Sequence, residues 1–143
     1  MASYVIKPYQ AAHADAILKY GEYEDYGGSY PTHALETEDA WTGFYNNEPI
    51  VCGGITPIWE HVAEVWIIMK QETNQHKFFM LKNIKDKFET TIQKREYHRI
   101  QAAVRTDFKN GIRFAKWFGM TSEGVMQKYG PEGKDYLMTA RII

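Results

Sequence analysis

The sequence predicts an α/β domain with a central mixed β-sheet flanked by helices. Three observations carry this expectation. Ala63–Met69 is a nearly continuous apolar run, of the kind found in a strand covered on both faces. Leu81, Ile84, Phe88 and Ile92 recur at helical spacing and mark the buried stripe of a helix over Phe78–Lys94. Strand-like and helical segments alternate through the middle of the chain and pair as hairpins toward its ends, which implies a mixed sheet.

The elements follow in order. Tyr4–Pro8 reads as a strand ended by proline. Ala11–Tyr20 follows as a short amphipathic helix, with Ala14, Ile17 and Leu18 on one face. Tyr20–Pro31 is acidic, rich in tyrosine and broken by glycines, as expected of an exposed, ordered loop. Glu36–Ala40 adds a helical turn. Strands Ala40–Tyr45 and Ile50–Ile55 are joined through Asn46-Asn47-Glu48-Pro49, a polar stretch that suits a hairpin. After Ala63–Met69 and the Phe78 helix, Arg99–Val104 is a further strand. Asp107 is placed to cap a helix containing Ile112, Phe114, Ala115 and Phe118, which Gly119 ends. Two last strands, Gly124–Tyr129 and Tyr136–Ile142, flank a turn at 130–133. No repeat or linker interrupts this order, so a single domain over 1–143 is expected.

Composition narrows the function. Seventeen basic and 18 acidic residues give a net charge of −1, without the basic excess of a nucleic-acid binder. Aromatic residues reach 15%, which suits a small core of large side chains or an aromatic-lined cleft. Cys52 is the only cysteine, so no intramolecular disulfide can form, and a reducing compartment is expected. Its apolar surroundings, Ile50–Ile55, mark it as a core residue and not a nucleophile. No secretory leader or apolar run of membrane-spanning length is read, so the expected location is cytoplasmic, with no membrane partner.

Several pieces resemble one family. Ile6-Lys7-Pro8 is similar to the opening strand of the GNAT family of N-acetyltransferases, ahead of a helix that commonly carries an Asp such as Asp15. Asn110-Gly111-Ile112-Arg113-Phe114-Ala115-Lys116-Trp117-Phe118-Gly119-Met120 resembles the family's late helix, which ends in a glycine followed by an apolar residue. Val65-Trp66-Ile67-Ile68-Met69, a polar loop and the Phe78 helix resemble the strand-loop-helix that holds acetyl-CoA. The wording is closest to small bacteriophage GNAT-like proteins, including the podophage internal virion protein group. The resemblance implies acetyl-CoA as co-substrate, an amine as acceptor and direct attack on the thioester. It also leaves room for a homodimer, for a phage or host protein partner, and for a virion location. In the family, two parallel central strands splay and the pantetheine arm lies in the gap. Ala63–Met69 and Arg99–Val104 would be those strands.

The residues expected to do this work can be named. Ile67, Ile68 and Met69 would line the pantetheine, with a donor near them polarising the thioester carbonyl. His76, Lys77 and Phe78 would receive the pyrophosphate, where free N–H groups and the helix dipole favour an anion. Asn110 and Phe114 would contact the cofactor from the late helix. Glu64 would remove the amine proton, its pKa raised by partial burial beside Trp66 and Ile68; His61 and Glu60 are weaker candidates. Tyr129 would protonate the thiolate. Glu24, Asp25, Tyr26 and Tyr30, with Glu22 and Tyr23, would attract and contact a cationic amine. Two departures stand against this chemistry. Lys70–Phe79 contains none of the glycines of the family's pyrophosphate loop. Ala115 replaces its usual tyrosine acid, and Phe108 stands near its usual asparagine. They favour the alternative of a GNAT-like protein that no longer catalyses.

Overall fold

Apolar strand segments and a buried stripe along the longest helix build a seven-stranded mixed sheet in the computed structural model, which describes residues 3–18, 32–69 and 75–143. The strands are β1 (Tyr4–Pro8), β2 (Ala40–Tyr45), β3 (Glu48–Trp59), β4 (Val62–Met69), β5 (Arg99–Arg105), β6 (Thr121–Met126) and β7 (Tyr136–Ile142). The helices are α1 (Ala11–Leu18), α2 (Gln75–Arg95) and α3 (Lys109–Trp117), with short 3₁₀ turns at Thr32–Leu35 and Pro131–Gly133. The strand order is β1-β2-β3-β4-β5-β7-β6. Contacts divide the chain into two compact units: Met1–Thr56 with Trp66–Lys94, and Pro57–Val65 with Arg95–Ile143.

In the first unit, β1 and β2 pair antiparallel, Tyr4 facing Tyr45 and Pro8 facing Trp41. Asn46 and Asn47 both take positive φ (48° and 67°), the geometry that lets a two-residue turn match the strand twist. The hairpin is therefore tighter than expected, and Glu48 and Pro49 belong to β3. A register shift beside Gly43 and Phe44 accommodates the proline, which has no N–H to offer the ladder. β3 runs on through Pro57 to Trp59, four residues past the expected end. The buried stripe of α2 is the expected one, Leu81, Ile84, Phe88 and Ile92. It meets the sheet at Gly53, where an added Cβ would stand 2.8 Å from Ile67 Cδ1 and 2.9 Å from Ile84 Cγ2. Tyr9, Ala14, Ile17, Ala40, Cys52 and Ile68 form a second cluster, with Leu18, Leu35 and Trp66 packed against it. The helical turn expected over Glu36–Ala40 lies earlier, at Thr32–Leu35, because Glu36 is used elsewhere: its carboxylate accepts the Ala11 N–H at 2.7 Å, at the start of α1.

Cys52 is buried, and burial pushes its thiol up to about 12, so it is inert at neutral pH. It lies 3.4 Å from Thr42 Oγ1, which lies 2.8 Å from His13 Nδ1. The Gln10 N–H also points at Nδ1, at 3.2 Å. A backbone N–H can only donate, so Nδ1 is an acceptor and the ring proton sits on Nε2. Burial, and then the Lys7 charge, lower the His13 pKa, with Glu36 opposing. The unfolded chain then binds this proton near pH 6.5 while the folded chain does not, so stability is lost as pH falls from about 6.5 through the lowered value. The expected result is a drop in Tm between pH 7.5 and 5.5 that is smaller in His13→Gln; equal drops in the two proteins would refute it.

In the second unit, β5 pairs antiparallel with β7 along its whole length, and β7 pairs with β6. β4 and β5 are parallel, with Val62, Ala63 and Glu64 in register with Arg99, Ile100 and Gln101. Phe118, Met120, Ala115, Ala140 and Ile100 are buried. Gly119, at φ 86°, ends α3 as expected: its N–H reaches Lys116 O and the Met120 N–H reaches Ala115 O, two bonds that only a left-handed residue at this point allows. Asp107 does not cap α3. The cap residue is Phe108, which makes no side-chain bond to the helix, and the Asp107 carboxylate instead takes the Arg105 guanidinium at 2.5 Å. β6 begins at Thr121, three residues earlier than expected, because β7 picks up its partner directly after Met120.

Candidate functional site

Glu64 is half-buried on β4. Desolvation alone accounts for its pKa, which is raised above the ordinary carboxylate value. In-register residues of parallel strands project to the same face, so Gln101 of β5 is its direct lateral neighbour. Gln101 is half-buried too, and Arg99, two residues before it, shares its face. Arg99 Nε donates to Gln101 Oε1 at 2.9 Å. The two terminal nitrogens of Arg99 donate to the Glu123 carboxylate at 3.0 and 2.6 Å, a forked ion pair. This pair holds the Glu123 carboxyl below its usual range, chiefly through the hydrogen bond from Arg99.

Glu123 reaches Arg99 because of a bulge. The β6–β7 ladder pairs Ser122 with Thr139 and Gly124 with Met138, leaving Glu123 as the extra residue. Gly124, at φ 133°, supplies the backbone bend. Sequence reasoning missed Gln101, Arg99 and Glu123. Arg99 and Glu123 are 24 residues apart, and only the strand register brings them together.

The other residues expected in this unit lie elsewhere. Tyr129 is 56% exposed, its ring packed edge-on against Tyr136 at 5.3 Å. Tyr136 faces Arg105, four residues beyond Gln101, so its backbone stands about 13 Å along the sheet from the level of Glu64 at the usual rise per residue. Asn110 is half-buried in the first turn of α3. Phe114 is a buried core residue, stacked on Phe118 and edge-on to Trp117, with its face turned inward. Ala115 is likewise buried, its carbonyl spent on the helix end. His61 holds the β3–β4 turn at φ 66°, 2.9 Å from the Glu96 carbonyl, and Glu60 is an exposed neighbour.

In the first unit, Ile68 and Met69 are buried side chains of β4, and Ile67 packs toward Gly53. The α2 helix begins at Gln75, so His76, Lys77 and Phe78 belong to its first turn and do not precede it. His76 stacks on Tyr45 at 3.9 Å and hydrogen-bonds the Tyr4 hydroxyl, with Phe79 4.7 Å from Tyr4. Lys77 corrects an expectation: it is 4% exposed and engaged within the protein, not a cation open to solvent. Phe78 is 60% exposed. The acceptor-loop residues Glu24, Asp25, Tyr26 and Tyr30, with Glu22 and Tyr23, lie outside the described residues. Among the described residues no group of three or more His, Cys, Asp or Glu could hold a metal ion, and no helix is long and apolar enough to cross a membrane.

No protein-family model and no curated protein matches the chain. Solved structures do. Ard1 from Thermoplasma volcanium superposes with a TM-score of 0.76 at 13% identity, over 98% of this chain and 97% of that one. The ribosomal-protein-S18-alanine N-acetyltransferase from Escherichia coli gives 0.72 at 13% identity, over 99% and 94%. A GNAT-family acetyltransferase from Bacillus anthracis gives 0.67 at 16% identity, over 99% and 96%. None of the three is a phage protein. At these identities the likeness concerns architecture, and the architecture of this chain is the GNAT acetyltransferase fold.

Proposed function

We propose that the protein is an N-acetyltransferase that moves the acetyl group of acetyl-CoA to an amine by direct attack. The observation that carries this reading is Glu64, an acid on a central strand of a GNAT-fold chain whose pKa is raised by burial. A base whose pKa moves toward the working pH is a better proton acceptor from an ammonium group. Glu64 takes that proton, and the freed nitrogen lone pair attacks the thioester carbonyl carbon. The N–C bond forms, the nitrogen gives its remaining extra proton to solvent, the C–S bond breaks, and the thiolate of CoA leaves and takes a proton from solvent.

Two further features support the co-substrate. Ile67–Met69 follow the three residues of β4 that pair with β5, and their backbone is the edge along which a pantetheine arm would bond. The first turn of α2 presents the positive end of the helix dipole, which suits a pyrophosphate even without glycines. His76 would stand beside it, while Lys77 serves the interior. The Escherichia coli neighbour is named for an alanine of a ribosomal protein, which makes a protein amino end the first acceptor to try.

The test is a thermal melt with acetyl-CoA. A ligand that binds only the folded state at a hundredfold excess over Kd adds about 2.7 kcal/mol of stability. The expected result is a rise in Tm together with release of free thiol when an amine is added. No shift at millimolar acetyl-CoA would sink the proposal, and a shift without turnover over a broad amine panel would reduce it to binding.

A further inference from the structure

We infer that Gln101 is a specificity-determining residue for this reaction, donating a hydrogen bond from its side-chain amide to a neutral carbonyl oxygen carried by the amine substrate. The inference rests on the acetyltransferase reading of Glu64. Its basis is the orientation of one amide. A guanidinium can only donate, so the Gln101 atom 2.9 Å from Arg99 Nε must be the oxygen. Both N–H donors of Gln101 therefore face away from Arg99, and they have no partner among the described residues. Arg99 cannot swing away freely, because its two terminal nitrogens are held by Glu123. Glu123 in turn is aimed at Arg99 by the bulge in β6. The chain Glu123–Arg99–Gln101 thus fixes a pair of donors on the face shared with Glu64.

The chemistry of that position selects the ligand. A group that only donates calls for an oxygen acceptor. An anionic acceptor would lie beside the Glu64 carboxylate, and the cation that touches Gln101, Arg99, is already neutralised by Glu123. A carbonyl is therefore favoured over a carboxylate. Spacing narrows the class further. Laterally paired residues stand about one strand spacing apart, ~4.8 Å. An amine at Glu64 and an oxygen at Gln101 are thus separated by roughly that distance or less. An α-amino amide, the amino end of a peptide, meets this requirement, and a simple alkylamine has nothing to offer Gln101.

The experiment compares alaninamide with isopropylamine, in which a methyl group replaces the carboxamide, as acceptors with acetyl-CoA. The wild-type protein is expected to prefer alaninamide by tenfold or more in kcat/KM. Gln101→Leu should reduce that ratio at least fivefold through a raised KM for alaninamide. Glu123→Ala, an exposed change on the edge strand, should reduce it by a smaller factor without touching Gln101. An unchanged ratio in Gln101→Leu at wild-type Tm would overturn the inference; if that variant does not fold, an unchanged ratio in Glu123→Ala does so. Equal turnover of the two amines by the wild-type protein would also overturn it while sparing the acetyltransferase reading. Turnover of neither amine, with no Tm shift from acetyl-CoA, would remove that reading itself.

Discussion

Glu64→Gln is expected to lower kcat/KM for acetyl transfer by about 10²–10⁴-fold, the range for loss of a positioned general base. The same substitution should raise Tm at pH 7. The sign follows from the burial of Glu64. Its folded pKa lies above the unfolded value of 4.5, so the unfolded chain gives up this proton first as pH rises. Stability falls across the interval between the two values, and above it the folded protein carries a desolvated charge. Glutamine keeps the shape and removes that cost. Loss of activity with a gain in stability separates a functional acid from a structural one, because removing a structural acid would weaken the fold. The acid limb of the wild-type kcat/KM profile should also lie above pH 4.5. A variant that keeps wild-type turnover and wild-type Tm would contradict both halves.

Phe88→Ala should have the largest effect on stability. Phe88 is fully buried at the centre of the α2 stripe, beside the bare face of Gly53 and 6.1 Å from the Trp41 ring. Truncation leaves a void that neighbouring side chains can only partly fill, because Ile84 and Ile67 are already packed to contact around that glycine. A loss of about 3–5 kcal/mol is expected, a large share of the stability of a domain this size. Urea unfolding measures it directly. A loss under about 1 kcal/mol would mean that α2 can settle onto the sheet and that the Gly53 contact does not fix its height.

What could be read from the sequence was local. The α2 stripe repeats every three or four residues, and the β4 run stands out by composition, so both elements lay where their patterns placed them. Gly119 was equally legible, since few residues tolerate the backbone turn that ends α3. The errors arose where a distant partner decides. Pro49 was expected in the turn and Pro57 lies beyond the expected end of the strand at Ile55, yet β3 absorbs both, the first beside an irregular register with β2. Asp107 had the chemistry of a cap, but Arg105 two residues away outcompeted the helix for its carboxylate. Lys77 was expected to meet a pyrophosphate because sequence gives no sign of which side of α2 turns inward at its first turn. Within the candidate site, Glu64 was visible as the single charge in an apolar strand. Its neighbour Gln101 was not, because a glutamine acquires a direction only when Arg99 and Glu123 arrive from other positions in the chain.

The extra residue in β6 bears on how the protein behaves in a crowded solution. β6 is the last strand of the sheet, and its outer row of N–H and C=O groups is a template on which another molecule could extend the sheet. A flat six-residue edge ending in Gly-Val-Met would be well suited to such growth. The inserted Glu123 and the twisted backbone at Gly124 break the regular spacing of that row and place a charged residue in its middle. The distortion that directs a carboxylate toward Arg99 therefore also guards the sheet against open-ended self-association.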